Sequence, residues 1–549
     1  MPFFLRSEQD SRTSLPPEIL PIDEAAESRR AQKTLAKAVS MHLEGKREAA
    51  AKLLANAIES GEREPALYSA LGHIQCEMAE YQDAAETYGK LLTLAPRHRI
   101  GHFNLGVCQG NLKNWKAAAE SFREAIAVDG TRPDALLGLG LALIHGGSPA
   151  QAVEALDKYL ELFPDHESAL FGRAVAMQQT GRYAEAAEQY RKVLARNPRS
   201  EEALSNLVAM FLERKDYPSV GRYAAMLAEV RPDSVVAIEA LATLAFAEQD
   251  FGQAAAHCQK LAEAAPDRFE SWFNLGVAHH KNGNFAQAAK AYRQAAMVNP
   301  SSAEAHLNLG VASQELSDLT GARRCYERTL EIDGNQPGAM WNLALVLEQL
   351  NERARAEALY ARIPKGSPEW SDACFRLGYL KLLDGEYSDS AGVFLECLAS
   401  RPDWPEASLN AGIALARCGR PADARQCFEE TLLLRPDSTD AVRGLAALAL
   451  EQEEYEEALQ LHQRLIELGE HSPELFYNAA LICQKRGRIQ QAVEYYQKAL
   501  AEDPQFAEAL LNMGHALMEL GQEEEARTHW RRAIREKPEL AQSYFETGA

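Results

Sequence analysis

Apolar and polar residues follow a pattern that repeats every 34 residues, starting at Ala31. Each 34-residue unit contains two segments of about twelve to fourteen residues in which apolar side chains recur at helical spacing. In the eighth unit the first segment opens near Trp272, and the second runs from Phe285 to Val298. Fifteen units follow one another without insertion or deletion and end at Leu540. The pattern therefore predicts fifteen pairs of helices in one repeat array.

Three positions of the unit hold nearly the same residue type throughout. Position 8 is Gly or Ala in fourteen units and only Val208 departs, while position 20 is Ala in thirteen, with Val220 and Ser390 as exceptions. Small residues at these positions let the two helices of a pair approach closely. Position 32 is Pro in eleven units, where the missing N–H ends the second helix. Aromatic residues open the second helix at position 17 in eight units: Tyr81, Trp115, Tyr183, Tyr217, Phe251, Phe285, Tyr387 and Tyr455.

The eighth unit carries a recognisable signature of seven residues: Trp272, Leu275, Gly276, Ala288, Tyr292, Ala295 and Pro300. This set resembles the tetratricopeptide-repeat (TPR) pattern, with His279 standing where the family has tyrosine. The resemblance covers residues 31–540. It implies an all-α fold, a right-handed superhelical solenoid of about fifteen 34-residue helix-turn-helix (TPR) repeats.

Two terminal segments lie outside the repeat. Prolines 16, 17 and 21 favour a flexible, extended N-terminal arm over residues 1–30. Residues 541–549 begin a sixteenth first helix, and by the resemblance they form a C-terminal capping helix in which Tyr544 and Phe545 cover the last repeat.

The tenth unit interrupts the regular pattern. Pro364 falls at position 28, about one turn before second helices normally end. We therefore predict a shortened helix and a local bend near residues 363–370. The alternative is an early helix end around which the neighbouring repeats simply repack.

Composition narrows the functional classes. The net charge of −21 disfavours nucleic acid as a partner, because neutralising phosphates requires clustered basic residues. No apolar run reaches the ~18 residues that a membrane-spanning helix needs, so we expect no membrane insertion. The nine cysteines include no CxxC pair, which favours a reducing, cytoplasmic compartment.

Enzyme signatures are absent from the sequence. It contains no phosphate-binding glycine loop, GxSxG elbow or HExxH helix. His279 and His280 are adjacent and so lie on different sides of a helix, which disfavours a shared metal ion. We expect a non-enzyme with no cofactor and no metal site. Five cysteines occupy helix-packing positions and are predicted to be small core residues: Cys258, Cys325, Cys374, Cys397 and Cys427.

By the resemblance, positions 2, 5, 6, 9, 12 and 13 of each first helix face the concave side of the superhelix. Position 6 is Asn in eight units, although asparagine is only a moderate helix former. Its amide both donates and accepts, so a row of them could hold the backbone of an extended peptide. This row is similar to the asparagine ladder in the TPR arm of O-linked N-acetylglucosamine transferases. The candidates are Asn104, Asn206, Asn274, Asn308, Asn342, Asn410, Asn478 and Asn512.

Each candidate set has a structural alternative. Position-6 asparagines could instead bond the neighbouring repeat or simply belong to the repeat consensus. The aromatics at position 5 are potential anchors on an open face, with half-burial between first helices as the alternative. They are Phe103, Phe171, Phe273, Trp341, Phe375 and Tyr477. Units eight to eleven form the predicted binding stretch, because they combine Phe273, Trp341 and Phe375 with the consecutive Asn274, Asn308 and Asn342.

Two further features bear on the partner. Position 5 is never lysine and position 9 is mostly apolar, which disfavours the carboxylate clamp of chaperone-binding TPR modules. Position 2 is acidic in nine units, where carboxylates either stabilise the helix start through its dipole or form a negative rim for a basic or neutral partner. These residues are Asp134, Glu202, Glu270, Glu304, Asp372, Glu406, Asp440, Glu474 and Glu508.

The sequence therefore predicts a non-catalytic scaffold or adaptor that binds an extended peptide or protein partner, neutral or basic, in its concave groove. The alternative is the substrate-recruiting arm of a transferase, with glycosyl transfer suggested by the resemblance, whose catalytic part is on another chain or missing. The pattern assigns no oligomeric state.

Overall fold

The structure, a computed structural model, describes residues 29–541, which form thirty α-helices. The chain divides into two compact units, one ending at Asn284 and the other beginning at Phe285. The first contains α1 (Arg29–Leu43), α2 (Arg47–Glu59), α3 (Pro65–Glu77), α4 (Tyr81–Leu94), α5 (Gly101–Asn111), α6 (Trp115–Val128), α7 (Pro133–His145), α8 (Pro149–Leu162), α9 (Glu167–Gln179), α10 (Tyr183–Arg196), α11 (Glu201–Glu213), α12 (Tyr217–Val230), α13 (Val235–Ala247), α14 (Phe251–Ala264) and α15 (Phe269–Lys281).

The second unit contains α16 (Phe285–Val298), α17 (Ala303–Glu315), α18 (Leu319–Ile332), α19 (Pro337–Gln349), α20 (Arg353–Tyr360), α21 (Trp370–Leu383), α22 (Tyr387–Ser400), α23 (Pro405–Arg417), α24 (Pro421–Leu434), α25 (Thr439–Glu451), α26 (Tyr455–Glu467), α27 (Pro473–Lys485), α28 (Ile489–Glu502), α29 (Ala507–Glu519) and α30 (Glu523–Glu536). A short 3-10 turn, Pro538–Leu540, follows α30.

Within each unit every helix packs against its sequence neighbours, and first helices also contact first helices, as α5 contacts α7 and α21 contacts α23. The predicted all-α solenoid is confirmed, since residues 29–541 contain thirty helices and no strand. All eight position-17 aromatics are the first residues of second helices, as predicted.

Helix α1 begins two residues before the predicted start of the repeats. The N-terminal arm and the capping helix, apart from the ends that border the repeats, lie outside the described residues.

The turn between the two helices of a repeat has one conformation throughout the described array. Position 15 has a positive φ in all fifteen repeats, from 56° at Lys215 to 80° at Gly385. The N–H groups of positions 15 and 16 donate to carbonyls of the helix end, as in Gly45 to His42 and Lys46 to Met41. This is the Schellman arrangement, which satisfies the last carbonyl groups of a helix. Seven of the fifteen position-15 residues are not glycine: Ala79, Lys113, Lys215, Gln249, Ser317, Asn351 and Glu453.

The core of each repeat depends on close contact between positions 8 and 24. A Cβ atom added to Gly72 would lie 2.8 Å from the ring of Tyr88, and one added to Gly106 would lie 2.9 Å from the ring of Phe122. Such separations are well inside van der Waals contact, so the ring packs directly on the backbone of the first helix. The predicted close approach is confirmed. Position 20 is fully buried beside this contact in all fifteen repeats, including Val220 and Ser390.

The shortened helix predicted at Pro364 is also confirmed. Helix α20 has only 8 residues and ends at Tyr360. Proline cannot donate to the carbonyl four residues before it, here Tyr360, and it disfavours helical geometry at Ile363. An irregular connection therefore replaces the last turns of the helix and leads to α21 at Trp370. The associated bend stays a prediction.

Candidate functional site

Three of the eight position-6 asparagines are buried or hydrogen-bonded within the described repeats. Asn104 is 1% exposed, and its Nδ2 donates a 2.9 Å hydrogen bond to Oη of Tyr88, at position 24 of the preceding repeat. Asn206 is 4% exposed. Asn512 is half-buried and donates over 2.8 Å to Oη of Tyr477. Burial contradicts the expectation that Asn104 and Asn206 face a partner, because each lies where neighbouring repeats pack together.

The other five asparagines keep their amides at the surface. Asn274 on α15 and Asn478 on α27 are exposed, and Asn308 on α17, Asn342 on α19 and Asn410 on α23 are half-buried. Among residues 29–541 none of these five side chains forms a hydrogen bond with the protein. Their donors and acceptors therefore remain available to a peptide group from outside.

The position-5 aromatics pack mainly into their own repeats. The Trp341 ring lies 5.5 Å from that of Tyr360, and the Phe375 ring lies 5.7 Å from that of Phe394, in each case the position-24 residue of the same repeat. Phe103 is 1% exposed and makes the same kind of contact. The alternative of partial burial therefore describes this column, and only the outer edges of the half-buried rings reach the surface. The half-buried members are Phe171, Phe273, Trp341, Phe375 and Tyr477.

One of these rings belongs to a stacked group at the junction of repeats eleven and twelve. The ring of Phe375 stacks on that of Trp404 at 4.6 Å with an interplanar angle of 18°. The guanidinium carbon of Arg401 lies 4.5 Å from the Trp404 ring centre, in a cation–π contact. Phe375 and Trp404 are both half-buried, so the stack offers a rigid apolar edge beside the amide row. Trp404, the last residue of repeat eleven, was not among the predicted site residues.

A partly buried polar cluster near Trp341 was also missed. Arg376, at position 6 of the eleventh repeat, contacts both carboxylate oxygens of Glu348 at 3.1 Å and 2.6 Å. Tyr360 donates to the same carboxylate over 2.5 Å, and the Glu348 side chain is only 14% exposed. Burial raises the pKa of Tyr360 further above its usual range, so the phenol keeps its proton. The cluster ties α19 to α21 across the shortened α20. In the sequence, the one sign of this cluster is an arginine at position 6, where eight other repeats have asparagine.

A cleft of about 450 Å³ lies between repeats thirteen and fourteen in the second unit. Asn478 lines it together with Arg443, Glu470 and His462. Arg443 is held by Asp440 at 2.7 Å and by Glu470. His462 is 4% exposed, and burial lowers its pKa, so its ring is neutral at pH 7. The lining of the cleft therefore contains both an amide without an internal partner and a guanidinium group paired with carboxylates.

Part of the acidic position-2 column is neutralised internally. Glu508 lies 2.7 Å from Lys537, and Glu406 is paired with Arg435, in both cases a base just after the second helix of the same repeat. The Lys537 ammonium group holds the pKa of Glu508 below its usual value. These carboxylates therefore stabilise helix starts and turns, and contribute less to an attractive rim than their number suggests.

Four of the five cysteines that were predicted to be core residues are buried. Cys258, Cys374, Cys397 and Cys427 are buried as predicted, whereas Cys325 is only half-buried. Burial raises the pKa of Cys258 and Cys427 to about 11, so these thiols are protonated at neutral pH and are poor nucleophiles. Within residues 29–541 no helix combines the length and the apolar character needed to cross a membrane.

Several solved structures are similar to this chain. A MamA protein is 23% identical and matches 32% of this chain and 95% of its own, with a TM-score of 0.30. YrrB, described as a TPR protein with an unusual peptide-binding site, is 20% identical, with 35% and 98% covered and a TM-score of 0.32. A Naa15/Naa10 complex bound to HypK-THB is 12% identical, with 94% and 95% covered and a TM-score of 0.34. No curated protein matches the sequence significantly.

Family models cover most of the repeat array. One tetratricopeptide-repeat model matches residues 69–128, 109–167, 239–296, 281–337, 314–369 and 409–473. Two others match residues 168–200 and 484–544. The matched segments span more than half of the chain, so the chain belongs to the tetratricopeptide-repeat family.

Proposed function

We propose that this protein is a non-catalytic interaction scaffold that holds an extended peptide by its backbone along the first helices. One observation carries the proposal: five position-6 amides are at least partly exposed and lack a partner among the described residues, whereas Asn104 and Asn512 donate to tyrosines of the stack. The donors and acceptors of these five amides are therefore free to pair with peptide groups of a bound chain.

The second unit supplies the most useful pair of amides. Asn308 and Asn342 occupy equivalent positions on α17 and α19, which are in contact. Packed helices lie ~8–10 Å apart, and an extended chain rises ~3.3 Å per residue. Successive asparagines therefore match peptide groups about three residues apart. The half-buried Trp341, next to Asn342, offers an apolar edge for one side chain of the peptide.

The charge of the chain favours a neutral or basic partner. At a net charge of −21 an acidic peptide meets long-range repulsion, while a basic one is attracted. The same charge opposes nucleic-acid binding. Because the amides contact the backbone, we expect low selectivity for side chains and a specificity set by charge and by the aromatic edges.

A peptide display selection against the full chain tests this function. We expect enrichment of extended, non-acidic sequences, and we expect Asn308→Ala/Asn342→Ala to weaken the best peptide by about 10- to 100-fold, since each lost hydrogen bond contributes roughly 1 kcal/mol. Asn335→Ala, in an exposed turn of the same region, is the matched control and should bind as the wild type does. Equal binding by the double variant would rule out these two amides as the contact.

The transferase alternative is a special case of the same scaffold, in which the bound peptide is the substrate of an enzyme on another chain. Family membership favours neither version. If captured peptides are rich in one modifiable residue, and an enzyme acting on that residue co-purifies with the protein, the recruiting arm is the better description. A mixed peptide set without an enzyme favours a general adaptor.

A further inference from the structure

Two histidines and a glutamate converge on the first helices of repeats one and two, in the first unit. His42 lies in the last turn of α1, and His73 and Glu77 lie four residues apart on α3. Nε2 of His42 is 2.8 Å from one oxygen of Glu77, and Nε2 of His73 is 3.4 Å from the other. One donor atom from each residue lies within 4.8 Å of the other two. Over residues 29–541 this is the only group of three such donors that meets this spacing.

We propose that His42, His73 and Glu77 bind a divalent transition-metal ion of the zinc type, with a fourth coordination position left to water. Two imidazoles and one carboxylate form a donor set known for zinc sites that keep an open position. The imidazoles disfavour calcium and magnesium, which take oxygen ligands. Donors around a tetrahedral zinc ion at ~2.0–2.1 Å lie ~3.3 Å apart. Each imidazole nitrogen already lies near that distance from one oxygen of Glu77, 2.8 Å for His42 and 3.4 Å for His73, with the two rings facing different oxygens of the carboxylate.

The burial of His73 supports this assignment. The residue is 8% exposed, and its Nδ1 has no hydrogen-bond partner among the described residues. Burial of an imidazole costs free energy unless its polar atoms form favourable contacts. The His73 atom that faces Glu77 is Nε2, so a metal ion bound there would give the buried ring a ligand bond. Glu77 remains 27% exposed in its side chain, so an ion can enter from solvent.

Arg47 is the competitor for this site. Its Nε lies 3.1 Å from the Glu77 oxygen that also contacts His42, and its side chain is 52% exposed. A bound cation has to displace this guanidinium group from the carboxylate. Arg47 therefore lowers the affinity for a metal ion, and its removal should raise it. If the cluster served only as a salt bridge, removing Arg47 would delete one of its favourable contacts and would create no metal affinity.

The test is a titration of the full chain with Co²⁺, after treatment with chelator, followed by absorption and calorimetry. We expect one site per chain with the visible bands of low-coordinate cobalt. His42→Ala and Glu77→Gln should each lower the affinity at least tenfold, whereas Arg47→Ala should raise it severalfold. His257→Ala, a half-buried histidine outside the cluster, should leave it unchanged. Because Arg47→Ala is expected to gain affinity, misfolding cannot imitate its result.

Zinc itself supplies a second readout. Saturating Zn²⁺ should raise the unfolding temperature of the wild type and of Arg47→Ala, but not that of His42→Ala or Glu77→Gln.

The nearby thiols need their own control. Sγ of Cys76 lies 3.1 Å from Sγ of Cys108, and thiolates are strong zinc ligands. We expect Cys76→Ala to bind cobalt with the same affinity as the wild type. Neither protein should show the near-ultraviolet charge-transfer band that thiolate ligands give. Loss of binding in Cys76→Ala, or equal affinity in the wild type, His42→Ala and Glu77→Gln, would overturn the assignment.

Discussion

Positions 8 and 24 divide one fixed volume between them in each repeat. Where position 8 is glycine, a large side chain fills the space, and a Cβ atom on Gly412 would lie 2.7 Å from the ring of Phe428. Where position 8 is the exceptional Val208, position 24 is the small Ala224, and both are fully buried. The one departure from the small-residue column is therefore compensated within its own repeat. Ser390, an exception at position 20, uses its hydroxyl to donate over 2.8 Å to the carbonyl of Gly378.

Two glycine replacements in neighbouring repeats should have opposite effects on stability. Gly412→Ala forces a methyl group against Phe428 and should destabilise by about 1–3 kcal/mol. Gly392→Ala, in the exposed face of α22 with nothing within 4 Å, should stabilise by about 0.5–1 kcal/mol. Denaturant unfolding of both variants measures the difference. Equal shifts in the two variants would show that the packing of position 8 does not limit stability.

His462 should make stability sensitive to mild acid. Burial lowers its pKa in the folded protein, so below the ordinary histidine pKa of ~6.5 the unfolded chain binds the extra proton and stability falls as pH decreases. Phenylalanine already occupies position 24 in the preceding repeat, as Phe428. The variant His462→Phe should therefore fold, and it should lose less stability than the wild type between pH 7.5 and 5. His306→Ala, a half-buried histidine elsewhere in the unit, is the control. Parallel pH curves for wild type and His462→Phe would contradict this account.

At the scale of the element, the turn of each repeat is imposed by helix pairing more than by local preference. Seven non-glycine residues adopt a positive φ at position 15. The left-handed conformation costs roughly 1–2 kcal/mol for such a residue. The cost is borne because the Schellman hydrogen bonds and the packed core fix the helix ends.

Exchanging residues at position 15 should change stability without touching the core. Glu453→Gly should stabilise its repeat by up to about 1 kcal/mol, and Gly419→Ala should destabilise its own by about 1 kcal/mol. A Cβ atom on Gly419 meets nothing within 4 Å, so the effect comes from the backbone alone. Hydrogen exchange of α23–α26 gives the local opening free energies. No change in either variant would show that the turns carry no strain.

The shortened α20 gives a second test at this scale. Pro364→Leu restores the missing N–H and should allow α20 to extend, which would remove the predicted bend near residues 363–370. Small-angle scattering of wild type and variant compares the two. Superimposable curves would remove the bend from the account and leave only an early helix end.

The sequence predicted the elements better than the site. Helix boundaries followed from proline at position 32 and aromatics at position 17, because these act locally. The burial of Asn104 depends on Tyr88 in the preceding repeat, and nothing local distinguishes Asn104 from the exposed Asn478. The residues proposed as metal ligands are equally hidden, since His42 and Glu77 are 35 positions apart.

At the scale of the whole molecule, the chain forms two compact units, and within each unit the described repeats contact their sequence neighbours. The net charge of −21 attracts or repels a partner over a long range, whereas each exposed amide contacts only the part of the partner beside its own repeat. We therefore expect added salt to slow the association of basic peptides and to leave that of neutral peptides almost unchanged. Stopped-flow binding at two ionic strengths measures both. A salt effect of equal size on neutral peptides would show that charge does not select the partner.

The most direct test of backbone recognition is a scan of the selected peptide itself. Each peptide bond is N-methylated in turn, and each side chain is separately replaced by alanine, with binding to the full chain measured by calorimetry. We expect N-methylation at about every third peptide bond to weaken the affinity tenfold or more. Most alanine replacements should change the affinity less than threefold. Tolerance of all N-methyl groups together with strong losses from alanine replacements would contradict an asparagine-held backbone.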